Sequence, residues 1–263
     1  MPEQNGPIAR KTLTLFYVLD TSGSMVEAGK IGCLNEAMRE TTDVLRDIAK
    51  KNADAEMKVA IMEFNSGCKW ITEKPIYLED FYWDDLSAGG LTDLGDALKE
   101  LDTQMSKERF LSSDTGQYKP VIIFMSDGLP TDDWQKALMD VKTNNRWFQT
   151  ATKIAFALGD ADVKTLATVV GNPEAVIKTD DLEIFKRLIR LVSVASSLNN
   201  GTSRLDSDSK SSGQLVQEVL DDIGVEVQDA TAADEVDVPD DFVDDGEEPD
   251  VEKTDDGWDD EEW

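Results

Sequence analysis

Histidine is missing from all 263 residues of the chain. Serine–histidine–aspartate and cysteine–histidine catalysis are therefore impossible within it, as is an imidazole-ligated zinc site. Cysteine is scarce: Cys33 falls in an expected helix and Cys68 just after an expected strand. Two thiols so placed make no disulfide framework and suit a reducing compartment, where they read as small, partly buried apolar groups. Positive charge is thin as well, with 26 Lys and Arg against 55 Asp and Glu. A formal charge of −29 repels phosphate backbones and argues against a general nucleic-acid binder. A basic protein or a divalent cation is the better partner on charge. No run approaches the roughly 18–20 apolar residues of a membrane span. The N-terminus MPEQNGPIARKTLTLFYVLD lacks the basic, apolar and small-residue succession of a secretion signal, so a cytoplasmic location is the expectation. The phosphate-binding sequence G-x-x-x-x-G-K-[ST] does not occur either.

What is present divides in two. Residues 1–199 carry 31 acidic and 23 basic residues, net −8, whereas residues 200–263 carry 24 and 3, net −21. The second part opens with the linker NNGTSRLDSDSKSSGQ and closes with DDFVDDGEEPDVEKTDDGWDDEEW. That composition buries too little apolar surface to offset ordering, so 200–263 is expected to be a disordered acidic tail beyond a domain at 8–199. Within it, QLVQEVLDDIGVEV is expected to order as a helix or strand only on a partner. The tail's plainest role is solubilisation. Phe242, Trp258 and Trp263 among the carboxylates also suit a basic groove on a partner. A tail carboxylate visiting a metal site of its own or another copy is a further expectation.

The first part alternates strand and helix patterns. Strands are expected at 12–20, 57–64, 119–128 and 151–159, with short pieces in 68–78 interrupted by Pro75 and an edge strand at 174–179. Helices are expected at 29–51, 92–105, 132–145, 160–171 and 181–198. Short, uninterrupted apolar strands alternating with amphipathic helices predict an α/β, Rossmann-like, doubly wound and mostly parallel sheet flanked by helices. Such sheets bind ligands beyond the carboxyl ends of their strands.

Two strands end in an aspartate followed by a turn: VLD-TSGS at Asp20 and FMSD-GLP at Asp127. A third loop, SAGGLTDLGDAL, presents Thr92 after two glycines. Brought into one crevice, Asp20, Ser22, Ser24, Thr92 and Asp127 pool two carboxylates and three hydroxyls. Oxygen donors of this kind suit a hard divalent cation, Mg²⁺ first, with Mn²⁺ or Ca²⁺ as alternatives. Neutral hydroxyls leave such an ion electrophilic, ready for one more carboxylate. Gly23, Gly89, Gly90 and Gly128 allow the loops to turn and approach closely. Tyr82 and Trp83, in YLEDFYWDDLSAGG, and Trp134 are candidates for a partner-binding rim.

DTSGS, GGLTDLGDAL and FMSDGLPTDDW together closely resemble the von Willebrand factor A domain over residues 12–198. The resemblance implies that Asp20, Ser22, Ser24, Thr92 and Asp127 form a metal-ion-dependent adhesion site whose cation is completed by a partner's Glu or Asp. The run IAFALGDADVKTLATVVGNPEAVIKTDDLEIFKRLIRLVSVASS further resembles bacterial tellurium-resistance-associated TerY-like proteins, implying a stress or tellurium-resistance setting alongside kinases and phosphatases. The expectation is a non-enzymatic, Mg²⁺-dependent protein-binding module. A phosphatase-like hydrolase is the enzyme alternative, because a strand ending in Asp also opens haloacid-dehalogenase-type sites. Their second Asp is Ser22 here, unable to act as acid, and the sequence places no lysine for a phosphate. A structural scaffold whose acidic tail binds a basic partner is the remaining alternative.

Overall fold

The computed structural model describes residues 10–159, 161–179, 181–200 and 210–223. Its strands are β1 (Lys11–Asp20), β2 (Ala55–Asn65), β3 (Gly67–Trp70), β4 (Ile76–Tyr77), β5 (Val121–Ser126), β6 (Thr152–Leu158) and β7 (Val176–Thr179). The helices are α1 (Lys30–Lys51), α2 (Leu94–Gln104), α3 (Trp134–Asn144), α4 (Arg146–Thr150), α5 (Val163–Val170), α6 (Leu182–Asn200) and α7 (Ser212–Ile223). One sheet runs β3-β2-β1-β5-β6-β7, with β4 also on β2. β1, β2, β5, β6 and β7 are parallel to their neighbours, whereas β3 and β4 return antiparallel along β2.

Both faces of the sheet are covered, as its continuous apolar strands require. Leu13, Leu15, Tyr17 and Leu19 of β1 point to one face, under Leu34, Met38 and Leu45 of α1 and Phe185, Ile189 and Val192 of α6. Phe16 and Val18 point to the other, under Leu98 and Leu101 of α2, Leu138 and Val141 of α3 and Leu166 of α5. The Tyr17 hydroxyl, buried in this core, donates to Ser193 Oγ at 2.9 Å.

The expected α/β architecture is therefore the observed one. The segment QLVQEVLDDIGVEV differs from its expectation, because part of it supplies α7, packed against the chain's own body. Val216, Val219 and Leu220 recur at helical spacing, are buried and join the core beneath α6. The rest of the expected disordered tail, 201–209 and 224–263, lies outside the described residues. No helix among the described residues is long and apolar enough to cross a membrane.

Strand order places the loops that carry the candidate residues. β1 pairs with β2 on one side and β5 on the other, so the chain leaves β1 to one side and later crosses back past it to reach β5. The register sets Leu19 beside Met125, bringing Asp20 next to Ser126 and Asp127 at the carboxyl ends. Such a reversal of strand order opens a crevice.

Candidate metal centre

Three loops close around that crevice, held by backbone bonds. Gly23 N–H donates to Gly90 O (3.1 Å) and Gly89 N–H to Thr21 O (2.8 Å), fastening the loop after β1 to the loop before α2. Thr131 N–H donates to Thr92 O (2.9 Å) and its hydroxyl accepts from Thr92 N–H (3.1 Å), fastening the loop after β5 to the same segment. Gly90 has φ +89°, and a Cβ there would lie 2.7 Å from Ser66 Oγ. Glycine is required at that approach.

The side chains form a continuous relay from β1 to β5. Asp20 is fully buried; its Oδ2 accepts from Ser126 Oγ at 2.6 Å and its Oδ1 from Ser22 N–H at 2.8 Å. Ser22 Oγ and Ser24 Oγ share a hydrogen bond of 3.0 Å, and Ser24 Oγ donates to Asp127 Oδ1 at 2.7 Å. The second oxygen of Asp127 receives the Lys30 ammonium at 2.6 Å. Thr92 joins from above: a Cβ added to Gly128 would sit 3.4 Å from Ser24 Oγ and 3.5 Å from Thr92 Oγ1. All five candidate residues thus converge on one place, which opens to solvent at Ser24 and Gly128. Burial pushes the Asp20 carboxyl above the usual carboxylate range; the bonds from Ser126 and Ser22 oppose this, and the nearby Asp127 charge adds to it.

This donor set fits a small divalent cation. Adjacent oxygens around an ion with bonds of about 2.0–2.1 Å lie about 3.0 Å apart in an octahedron. The Ser22–Ser24 and Ser24–Asp127 separations, 3.0 and 2.7 Å, are of that size. Among the described residues no group of three or more Cys, Asp or Glu is arranged to hold a metal, so an ion here would depend on the hydroxyls.

Two neighbours of the candidate residues escape the sequence reading. Ser126 stands inside the quoted FMSD run, yet only the register shows its hydroxyl turned to Asp20. Lys30 is separated from Asp127 by 97 residues. It is delivered by a turn in which Ala28 (φ +52°) and Gly29 (φ +75°) are left-handed, and a Cβ added to Gly159 would lie 3.3 and 3.4 Å from the Lys30 Cε and Nζ.

The aromatic candidates separate. Residues 81–89 climb α1: Tyr82 stacks on the Arg46 guanidinium (4.4 Å), Asp85 pairs with Arg39, and the backbone of Leu86 pairs with the Asn35 side chain before Gly89 reaches the centre. Arg46 lies about 24 Å along the helix from Lys30, so Tyr82 is not brought to the three loops. Trp83 is half-buried against the core. Trp134 opens α3 directly after the third loop and packs on the α2–α3 side.

Residues 15–129 match the family model of the von Willebrand factor type A domain. The structure resembles a von Willebrand factor type A protein of Catenulispora acidiphila (TM-score 0.51, 16% identity, covering 71% of this chain and 43% of that one). The fold is that of a von Willebrand factor type A domain. It is also similar to the pilus adhesin SpaC of Lactobacillus rhamnosus GG in its open conformation (0.56, 12%, 72% and 30%). The minor pilin PilB of Streptococcus sanguinis is a further likeness (0.50, 11%, 74% and 62%). The matched part of this chain spans less than two thirds of each of those chains. No curated protein matches the sequence. The A-domain crevice lies where β1 and β5 part, and all three loops that line it begin or end within the matched residues.

Proposed function

We propose that the chain is a divalent-cation-dependent protein-binding module that takes a partner's Asp or Glu at the β1/β5 crevice, with Mg²⁺ as the working ion. The observation that carries this is the relay Asp20–Ser22–Ser24–Asp127, whose donor separations suit an octahedral ion and whose open side faces solvent. Ser22, Ser24 and Thr92 would hold the ion, and the two aspartates would orient the hydroxyls and balance charge. When bound, the ion supplies electrostatic attraction for a carboxylate. The A-domain fold, which serves protein interaction, supports the reading, as does the word adhesin in the name of one similar structure.

Two features stand against catalysis. Both oxygens of Asp20 are occupied and the residue is buried, so it is not presented as a nucleophile. The structure does place a lysine here, contrary to the sequence expectation, but Lys30 is spent on Asp127. A TerY-like stress or tellurium-resistance role in the cytoplasm is part of the proposal and rests on the resemblance of residues 154–197. Loss of the gene should then raise tellurite sensitivity.

The deciding experiment is calorimetric Mg²⁺ titration of the full chain and of Ser22→Ala/Ser24→Ala, paired with capture from lysate in Mg²⁺ and in EDTA. A Mg²⁺ site lost in the double variant, with a partner retained only by the wild type in Mg²⁺, is expected. A partner held equally in EDTA would move the function to the tail or another face.

A further inference from the structure

Seven large apolar side chains stand exposed among the described residues, and three of them flank candidate ligands. Val26 (60% exposed) lies two residues after Ser24, Leu91 (56%) one before Thr92, and Leu129 (66%) two after Asp127. Each of the three loops that meet at the crevice therefore exposes one aliphatic side chain within two residues of a candidate ligand. Isolated exposed apolar residues are ordinary, but one beside a candidate ligand on each of three loops fastened to one another is not. A ligand that fits must offer a carboxylate to the centre and apolar side chains to the rim at the same time.

The chain carries that combination itself. Residues 224–263 contain 19 Asp and Glu against one Lys, and at 240–245 the sequence Asp-Asp-Phe-Val-Asp-Asp sets two adjacent apolar residues between pairs of carboxylates. Eighteen residues lie between Ile223 and Phe242, and a chain of that length can span about 60 Å. A domain of about 200 residues has a radius of gyration of about 16 Å, so the segment can reach any part of the surface. The first 199 residues are themselves net negative and repel it in general. A cation held by loops that also expose aliphatic side chains is the place that would attract it. Resting on the metal-binding reading above, we propose that residues 240–245 dock on their own chain's metal centre, Phe242 and Val243 against Val26, Leu91 and Leu129, with an adjacent aspartate at the ion. The tail then acts as an internal competitor that a protein partner must displace, and tethering gives it an effective concentration of order millimolar.

The test uses full-length chains and a fluorescent synthetic peptide of residues 236–248, followed by anisotropy in Mg²⁺ and in EDTA at matched ionic strength. The peptide should bind Phe242→Ser/Val243→Ser about tenfold more tightly than wild type, because the internal copy no longer competes. That binding should vanish in EDTA and when Leu91→Ser/Leu129→Ser is added. Equal affinity for wild type and the tail variant, or binding that survives EDTA, would overturn the proposal. A Mg²⁺-dependent dimer in sedimentation, abolished by the tail variant, would overturn the intramolecular contact in favour of exchange between copies. If the peptide fails to bind while calorimetry still shows a Ser22- and Ser24-dependent Mg²⁺ site, the tail inference alone falls. If that Mg²⁺ site is missing, the proposed function falls with it.

Discussion

The two oxygens of Asp127 have different duties, one accepting the Ser24 hydroxyl and the other the Lys30 ammonium. A positive charge this close to a cation site opposes a dication, and moving the lysine away costs its ion pair with Asp127. Lys30→Met should therefore tighten Mg²⁺ binding by at least about tenfold, equivalent to about 1.4 kcal/mol, in calorimetry of the full chain. Weaker binding would instead make Lys30 a positioning residue for Asp127. The two thiols give a second residue-scale prediction. Burial pushes both Cys33 and Cys68 up to about 11, the neighbouring acidic residues adding to it at Cys68. Thiolate forms only as pH rises toward that value, so alkylation of the folded chain at pH 8 should be far slower than that of the denatured chain. The meeting of Asp20, Ser22, Ser24, Thr92 and Asp127 was legible because each sits at a strand end or helix start in a segment that carries a glycine. Lys30 and Ser126 were not, since one contact spans 97 residues and the other depends on which way a strand side chain turns.

Helix α2 shows how the elements hold Thr92 in place. Asp93 occupies the N-cap position, yet its carboxylate is turned away, accepting from Gly67 N–H at 2.7 Å and Thr131 Oγ1 at 3.0 Å. Asp132, from the loop after β5, caps the helix instead, accepting from Gly95 N–H at 2.9 Å and Asp96 N–H at 3.0 Å. The carboxylate so placed satisfies two free amides and meets the positive end of the helix dipole. Asp132→Ala should lower stability by about 1–2 kcal/mol in urea unfolding and weaken Mg²⁺ binding, because Thr92 and Asp127 lose a shared brace. An unchanged midpoint would show that Asp93 turns back to cap. Periodicity made the parallel strands and α1 readable, since burial on both faces leaves long apolar runs and amphipathic helices leave a stripe. It could not reveal a cap supplied from 36 residues away, nor that Leu215, Val216, Val219 and Leu220 of α7 find their partner on the same chain.

Over the whole molecule, a net charge of −29 sets two responses to Mg²⁺ that must be told apart. Any salt screens the self-repulsion and stabilises the compact state, without regard to site. A cation held at the β1/β5 crevice stabilises by mass action, because the unfolded chain cannot assemble loops separated by about 70 and 35 residues. At free Mg²⁺ one hundred times Kd the gain is about 2.7 kcal/mol. For a domain of this size that is a rise in Tm of about 5–10 °C. The comparison is made at constant ionic strength, Mg²⁺ against NaCl with EDTA, for wild type and Ser22→Ala/Ser24→Ala. The wild type should melt higher in Mg²⁺ and the double variant should not, since the acidic residues of the tail are the same in both. An equal rise in both would assign the effect to screening or to the tail carboxylates, and the crevice would lose its claim to the ion.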